Sequence, residues 1–230
     1  MKNIQLILFV LLIIFSSCQG KKQSKKENHQ HHKGNEVNQK MHNTKVSDLI
    51  KRFESPERDA YQQPEKVLDY IGDVKGQKIL DIGAGSGYFS VKLVKRGALV
   101  IAGDVDDEFL EYMKNRIIKD KIDASLMEVR KLPYTSPALK KEEVDKVLIV
   151  NTYHHIENRV KYFTKVLDGL KENGELIVID FFKKELPIGP KPNHKFSKEE
   201  VVKELKQAGF KTFEVNTDLL KMQYIVRAGK

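Results

Sequence analysis

Short apolar runs alternate with helix-like segments over most of the chain, and this alternation limits the folds that the sequence can adopt. The apolar runs are QKILDIG, ALVIAGD, ASLMEV, VDKVLIVN, ELIVIDFF, KTFEVN and MQYIVRA. Apolar strands separated by helices predict a doubly wound, largely parallel α/β sheet. Ligands of such sheets bind beyond the carboxyl ends of the strands, so the residues that end each run are the candidates for a site.

The glycine-rich stretch ILDIGAGSGYFS follows the first run, and its spacing excludes two common ligand loops. A dinucleotide fingerprint needs a third small residue three positions after its second glycine, but Tyr88 stands there after Gly83 and Gly85. A phosphate loop needs lysine after its last glycine, and none follows Gly87. The pattern that remains is Asp81-x-Gly83-x-Gly85-x-Gly87.

This pattern, with Asp104 ending the ALVIAGD run, resembles the class I S-adenosylmethionine-dependent methyltransferases. The resemblance implies that the glycine backbone lies close to the cofactor S-adenosylmethionine. It also implies that Asp81 lies at the cofactor's cationic amino end and that Asp104 accepts both ribose hydroxyls. A tight turn without a ligand is the alternative, which the acid at the second strand end disfavours. The implied cofactor site comprises Asp81, Gly83, Ala84, Gly85, Gly87, Asp104, Val105, Glu128 and Asn151.

The resemblance extends from about residue 53 to the C-terminus and implies a Rossmann-like sheet, mostly parallel with an antiparallel last strand, with helices on both faces. Glu128 precedes KLPY and is implied at the adenine amino group, with Arg130 or a backbone amide as alternatives. FESPERDAYQQP is similar to a segment that closes over the cofactor in an exported or membrane-associated subgroup, which makes Arg58 and Gln63 candidate lid contacts.

Methyl transfer needs few catalytic groups, because the methyl group of a sulfonium ion is already electrophilic and the enzyme mainly aligns the nucleophile with it. A base is needed only when the acceptor loses a proton. The segment YHH, at the end of the VDKVLIVN run, supplies Tyr153, His154 and His155. We favour His154 as the base, with Asp180 as a second candidate or as the group that orients a histidine. Alternatively, Tyr153 walls the pocket and the histidines only pack.

The predicted function is methyl transfer from S-adenosylmethionine to an unidentified acceptor, a small molecule or a cell-envelope component. The alternative is an exported lipoprotein that binds the cofactor or a nucleoside without turnover. We expect no nucleic-acid partner, because the net charge of +9 is concentrated near the N-terminus. Residues 1–47 contain eight lysines and two acids, whereas the rest of the chain contains 33 basic and 30 acidic residues.

Residues 1–17 are predicted to be a lipoprotein-type signal peptide. Lys2 precedes an apolar run that is too short to span a bilayer, and Ser16, Ser17 and Cys18 follow it. The segment from Ser16 to Cys18 resembles a bacterial lipobox, in which the cysteine is lipidated. The alternative is an ordinary cleaved signal peptide. The prediction places the protein in the cell envelope, facing the periplasm or the outside, with the membrane contacted only through lipid at Cys18.

Residues 19–44 are predicted to form a disordered polar tether, and residues 45–230 a single methyltransferase domain. The tether contains almost no apolar side chains, so it cannot bury enough surface to order itself. Its histidines, His29, His31 and His32, either bind a metal weakly or are simply solvated, and we favour the second interpretation. The predicted site of the domain includes no metal ligand.

Overall fold

The computed structural model describes residues 43–230. The predicted signal peptide, the predicted lipidation site at Cys18, the three tether histidines and nearly all of the tether lie outside these residues. Within the described part, no helix combines the length and the apolar character that crossing a membrane would require.

Seven strands form one sheet in the order β3-β2-β1-β4-β5-β7-β6. The strands are β1 (Lys78–Ile82), β2 (Leu99–Asp104), β3 (Met127–Lys131), β4 (Val144–Val150), β5 (Leu170–Phe181), β6 (Thr212–Asn216) and β7 (Gln223–Gly229). Strands β1 to β5 are parallel, and β7 runs antiparallel to both of its neighbours. The predicted fold class is therefore confirmed. The chain order reverses between β1 and β4, which is where doubly wound sheets open a crevice for a ligand.

Seven α-helices accompany the sheet within the described residues. They are α1 (Val46–Phe53), α2 (Pro56–Gln62), α3 (Pro64–Ile71), α4 (Tyr88–Lys95), α5 (Asp107–Lys119), α6 (Arg159–Gly169) and α7 (Lys198–Ala208). Side chains of α3, α4 and α5 pack on one face of the sheet, and those of α6 and α7 pack on the other. Consecutive strand residues face opposite sides, as Ile79 and Leu80 do, so both faces need apolar side chains.

The three helices before the sheet follow from capping and proline signals in the sequence. Ser55 caps α2 by accepting the amide of Arg58, and Pro56 occupies the first turn, where no amide donor is needed. Gln63 adopts a left-handed conformation (φ 43°) that breaks the helix, and Pro64 begins α3. The first break separates α1 from α2 at Glu54 and Ser55, which we call the corner between α1 and α2, and the second separates α2 from α3 at Gln63.

The apolar spacing in RVKYFTKVLDGLKENG predicts a helix that stops at Gly174, but the helix in the structure ends five residues earlier. α6 stops at Gly169, and β5 already begins at Leu170, which pairs with Val144 of β4. Leu170 is fully buried, so extending the chain there gains both a strand pairing and a core side chain. Gly174, the predicted helix end, instead lies in the strand, where a Cβ would come within 2.9 Å of the Lys171 carbonyl oxygen.

Candidate functional site

The glycine loop between β1 and α4 holds the backbone close to neighbouring segments. Gly83, Gly85 and Gly87 all adopt positive φ angles, of 70°, 57° and 76°. The amides of Gly83 and Ala84 both donate to the Gly103 carbonyl oxygen, at 2.9 and 3.0 Å, which ties the loop to the end of β2. A Cβ at Gly83 would lie 2.5 Å from the side chain of Thr152, so only glycine fits between the ends of β1 and β4.

Asp104 ends β2 with its carboxylate fixed by two backbone amides. Oδ2 accepts from the Gly85 amide at 2.8 Å, and Oδ1 accepts from the Asp106 amide at 3.0 Å. Burial raises the pKa of Asp104, and the backbone hydrogen bonds oppose that rise. Each carboxylate oxygen can accept a second hydrogen bond, so the group remains able to accept hydroxyl donors. Val105, the next residue, is half-buried and packs toward the core on the α6 side of the sheet.

Asp81 is 3% exposed and ends β1 beside the glycine loop. Its Oδ2 accepts from the hydroxyl of Ser90 at 2.7 Å. Burial raises the pKa of Asp81 to about 6, while the Ser90 hydrogen bond and the charge of Arg58 pull it down. Desolvation makes an unpaired carboxylate unfavourable here, so a cationic ligand would stabilise its ionised form.

Arg58, from α2, is a half-buried cation whose hydrogen bonding is incomplete. Its guanidinium lies 4.1 Å from the centre of the Tyr88 ring and 5.4 Å from that of Phe53. One Nη donates to the Phe53 carbonyl oxygen at 3.3 Å, whereas Nε is buried without a hydrogen-bond partner among residues 43–230. Burial lowers the pKa of Arg58. A guanidinium held between two rings with unused donors is suited to bind an anion.

Polar contacts fasten the corner between α1 and α2 onto the glycine loop. Glu54 accepts from the hydroxyl of Ser86 and from the guanidinium of Arg116, which also donates to the Ser86 carbonyl oxygen. The hydroxyl of Tyr88 donates to Asp59 of α2. α2 is therefore tied to the segment that carries Asp81 and the three glycines.

His154 and Asp180 form a buried pair at the ends of β4 and β5. Nδ1 of His154 lies 2.9 and 3.1 Å from the two carboxylate oxygens of Asp180, and Oδ1 also accepts the Phe181 amide at 2.8 Å. The two side chains are 3% and 1% exposed. When Nδ1 donates to a carboxylate, Nε2 becomes the basic nitrogen of the ring. The predicted partnership of these residues thus has the geometry of an oriented base.

Comparison with known proteins shows what this site is similar to. A family described as a methyltransferase domain matches residues 80–178, which contain both strand-end acids and the glycine loop. The structure superposes on an S-adenosylmethionine-dependent methyltransferase from Aquifex aeolicus with a TM-score of 0.74 and 29% identity, covering 80% of this chain and 98% of that one.

Residues 80–178 are thus similar to a methyltransferase domain, and the fold is that of an S-adenosylmethionine-dependent methyltransferase.

Curated relatives match the methyltransferase domain over about half of this chain. A tRNA U34 carboxymethyltransferase from Hydrogenovibrio crunogenus is 29% identical over 120 residues, which are 50% of this chain and 35% of that one. A demethylmenaquinone methyltransferase from Clavibacter sepedonicus is 26% identical over 119 residues, 51% of this chain and 46% of that one. The chain thus spans less than half the length of either relative, and the match reflects the domain they share.

The residues of the methyltransferase domain fit S-adenosylmethionine. The amino-acid end of the cofactor carries an ammonium and a carboxylate, and the domain offers the buried carboxylate of Asp81 and the underused guanidinium of Arg58. Asp104 would hold the ribose hydroxyls, and the Gly85 and Asp106 amides already orient its two carboxylate oxygens. Among the described residues, no group of three or more histidine, cysteine, aspartate or glutamate side chains has the arrangement of a metal site.

Glu128, implied at the adenine amino group, pairs with Arg130 in the structure. It lies inside β3 opposite Ile101, and both of its carboxylate oxygens accept from Arg130, at 2.6 and 2.9 Å. Arg130, the alternative contact, also bonds Glu143 and the Ala138 carbonyl oxygen. The adenine contact stays a prediction for either side chain.

Tyr153 lies in the core rather than at the surface of the site. It is fully buried, its ring stacks on that of Phe163 at 5.1 Å, and its hydroxyl donates to Glu204. These partners belong to the α6 and α7 side of the sheet, and the catalytic role of Tyr153 stays a prediction. The His155 ring is tilted by 40° against that of His154, with ring centres 4.3 Å apart.

Asn151, implied as a cofactor contact, forms hydrogen bonds with two other side-chain amides. Its Nδ2 donates to Gln62 at 3.2 Å, and its Oδ1 accepts from Gln223 at 2.5 Å. Gln62 and Gln223 were not predicted for the site, and no motif in the sequence marks them. The lid candidate beside them, Gln63, serves as the left-handed break between α2 and α3.

Proposed function

We propose that the protein transfers the methyl group of S-adenosylmethionine to an acceptor atom that loses a proton in the reaction. The supporting observation is the buried pair of His154 and Asp180 at the ends of β4 and β5. A methyltransferase whose acceptor is already a free nucleophile needs no base, whereas an oriented histidine suits a hydroxyl, thiol or ammonium acceptor.

The chain's own residues divide into two groups in this reaction. Asp81, Arg58 and Asp104 hold the ammonium, the carboxylate and the ribose hydroxyls of the cofactor. His154 takes the acceptor's proton on Nε2, and Asp180 keeps the imidazole in the required tautomer and stabilises its positive charge. Bound S-adenosylmethionine would supply a methyl carbon on a cationic sulfur, and that sulfur would keep the electron pair of the broken carbon–sulfur bond when the acceptor takes the methyl group.

Two steps test this function. Calorimetry of residues 43–230 with S-adenosylmethionine and S-adenosylhomocysteine first establishes binding. Release of S-adenosylhomocysteine is then measured against fractions of a cell-envelope extract and a panel of small hydroxyl, thiol and amine compounds. Binding without release on any fraction or compound would contradict the proposed turnover.

We expect cofactor affinity to fall as pH decreases through about 6. Asp81, whose pKa burial raises to about 6, must be ionised to accept the cofactor's ammonium, so protonation removes this contact. Titration calorimetry of S-adenosylhomocysteine between pH 5 and pH 8 measures the effect. Methylthioadenosine, which lacks the amino-acid end, is the control and should bind with little pH dependence. If affinity depends on pH in the same way for both ligands, Asp81 does not bind the cofactor's ammonium.

We also propose that the acceptor is a small molecule or a cell-envelope component. The support lies in the sequence: an export-type N-terminus, and a nearly balanced charge beyond residue 47, with 33 basic and 30 acidic residues. Binding along a phosphate backbone relies on a concentrated positive surface, which this balance does not favour. In this proposal the protein is anchored in the cell envelope by lipid at Cys18.

Mass spectrometry of the native protein tests the anchor. We expect the mature chain to start at a lipidated Cys18, because two small residues and a cysteine follow the apolar run from residue 4 to 15. A Cys18→Ser variant should lose the lipid and remain with its leader attached. An unmodified terminus beyond residue 18, or a retained Met1, would contradict the proposal.

A further inference from the structure

Three side-chain amides form a closed ring of hydrogen bonds at the carboxyl edge of the sheet. Gln62 donates to Gln223 at 2.9 Å, Gln223 donates to Asn151 at 2.5 Å, and Asn151 donates to Gln62 at 3.2 Å. Gln62 and Gln223 are fully buried. Each amide therefore gives one hydrogen bond and receives one, and we call this set the amide ring.

The amide ring joins three parts of the candidate site. Gln62 is the last residue of α2, the helix that carries Arg58. Asn151 follows β4 directly, in a left-handed conformation with φ 55°, and begins the loop that leads to His154. Gln223 begins β7, opposite Phe181 at the end of β5. The cofactor side of the site is thereby connected to the side that carries the base.

Uncharged amides make this connection more specific than apolar side chains would. Apolar contacts tolerate sliding, because dispersion and burial depend weakly on direction, whereas a buried amide that loses its partner leaves donors and acceptors unsatisfied. All three amides are satisfied together only when α2 occupies one position. Such networks fix a single arrangement when every member is bonded.

We propose that Gln62, Asn151 and Gln223 are positioning residues that hold α2 where Arg58 meets the carboxylate of the cofactor. This inference rests on the proposed function, in which Arg58 binds that carboxylate. Hydrogen bonds alone do not fix the place of Arg58, since its Nη donates only to the Phe53 carbonyl oxygen and its Nε has no partner among the described residues. The rings of Phe53 and Tyr88 flank the guanidinium without directing its donors. The position of the guanidinium thus depends on where α2 is held.

The test compares two ligands that differ in the group that Arg58 would bind. S-adenosylhomocysteine carries the amino-acid end, and methylthioadenosine presents the same nucleoside and sulfur without it. In Gln223→Met, we expect affinity for S-adenosylhomocysteine to fall on the order of tenfold, while affinity for methylthioadenosine stays within about twofold. If Gln223→Met folds poorly, Gln62→Met can replace it. Gln62→Met breaks the amide ring at the residue that belongs to α2, and it should give the same pattern of affinities.

Gln77→Met is the matched control. Gln77 precedes β1 at the amino edge of the sheet, and its Oε1 is buried without a partner among residues 43–230. The same chemical change there should leave both affinities unchanged. If the ring variants lose affinity for both ligands equally, or for neither, the amide ring is only structural and the inference is overturned.

A double-mutant cycle then asks whether the ring acts through Arg58. Arg58→Met should lower affinity for S-adenosylhomocysteine, and adding Gln223→Met should cost no further affinity, because the group being positioned is already gone. Fully additive losses would show that the ring acts elsewhere. Failure of the wild-type protein to bind either ligand would instead overturn the proposed function, so the two failures can be told apart.

Discussion

His154→Gln lowers the rate of methyl transfer by about 100- to 10,000-fold, the range associated with loss of a positioned base. Glutamine still places a donor near Asp180, so the buried carboxylate keeps a hydrogen bond while the basic nitrogen is lost. Affinity for S-adenosylhomocysteine stays within about twofold of the wild-type value, because the cofactor contacts lie at the ends of β1 and β2. Turnover with the acceptor found in the extract screen and calorimetry with S-adenosylhomocysteine measure the two quantities separately.

Tyr153→Phe is the control for this prediction. Tyr153 lies in the same turn as His154, but its hydroxyl donates to Glu204 in the core. Removing that hydroxyl should lower stability and leave turnover nearly unchanged. The role of His154 as base would be excluded by a folded His154→Gln variant with wild-type turnover, or by equal losses of turnover and cofactor affinity.

Asp104→Asn weakens cofactor binding by about 2 kcal/mol, or roughly 30-fold, because it removes a charged acceptor from two hydroxyls. The loss applies equally to S-adenosylhomocysteine and methylthioadenosine, since both carry the ribose. This pattern separates Asp104 from Arg58, whose replacement should affect only the ligand with the amino-acid end. Titration calorimetry with both ligands makes the measurement.

An exposed aspartate provides the control for Asp104. Asp107, three residues further along the chain, pairs with Lys131 at the surface, and its side chain is 85% exposed. Asp107→Asn removes the same charge close to the site and should change neither affinity by more than about twofold. Unchanged binding in a folded Asp104→Asn variant would refute the ribose assignment.

The sequence predicts the framework of the site well because strand ends are easy to locate. Each apolar run marks a strand, and the polar residue that ends it must lie at the carboxyl edge of the sheet. Asp81, Asp104 and Asp180 were located in this way, and the structure places all three at that edge. The histidine that follows β4 could be paired with Asp180 on the same reasoning, because β4 and β5 are neighbours.

The errors arise where long-range contacts decide the outcome. The end of α6 could not be predicted, because a strand pairing with Val144 competes with the helix at Leu170. The ion pair between Glu128 and Arg130 could not be predicted either, because the sequence does not show which way these two side chains of β3 turn. The amide ring joins Gln62 to a residue 161 positions away, and single amides in a helix and a strand carry no local signal.

The corner between α1 and α2 bears on how quickly ligands would exchange if the proposed cofactor site is right. The Phe53 ring lies 3.2 Å from the point where a Cβ on Gly85 would stand, and Glu54 bonds both Ser86 and Arg116. A spent cofactor beneath this corner would leave only when these contacts open together. Release of the product, rather than methyl transfer itself, would then limit the rate of repeated turnover. Loosening Glu54 should therefore shorten the lifetime of the product complex.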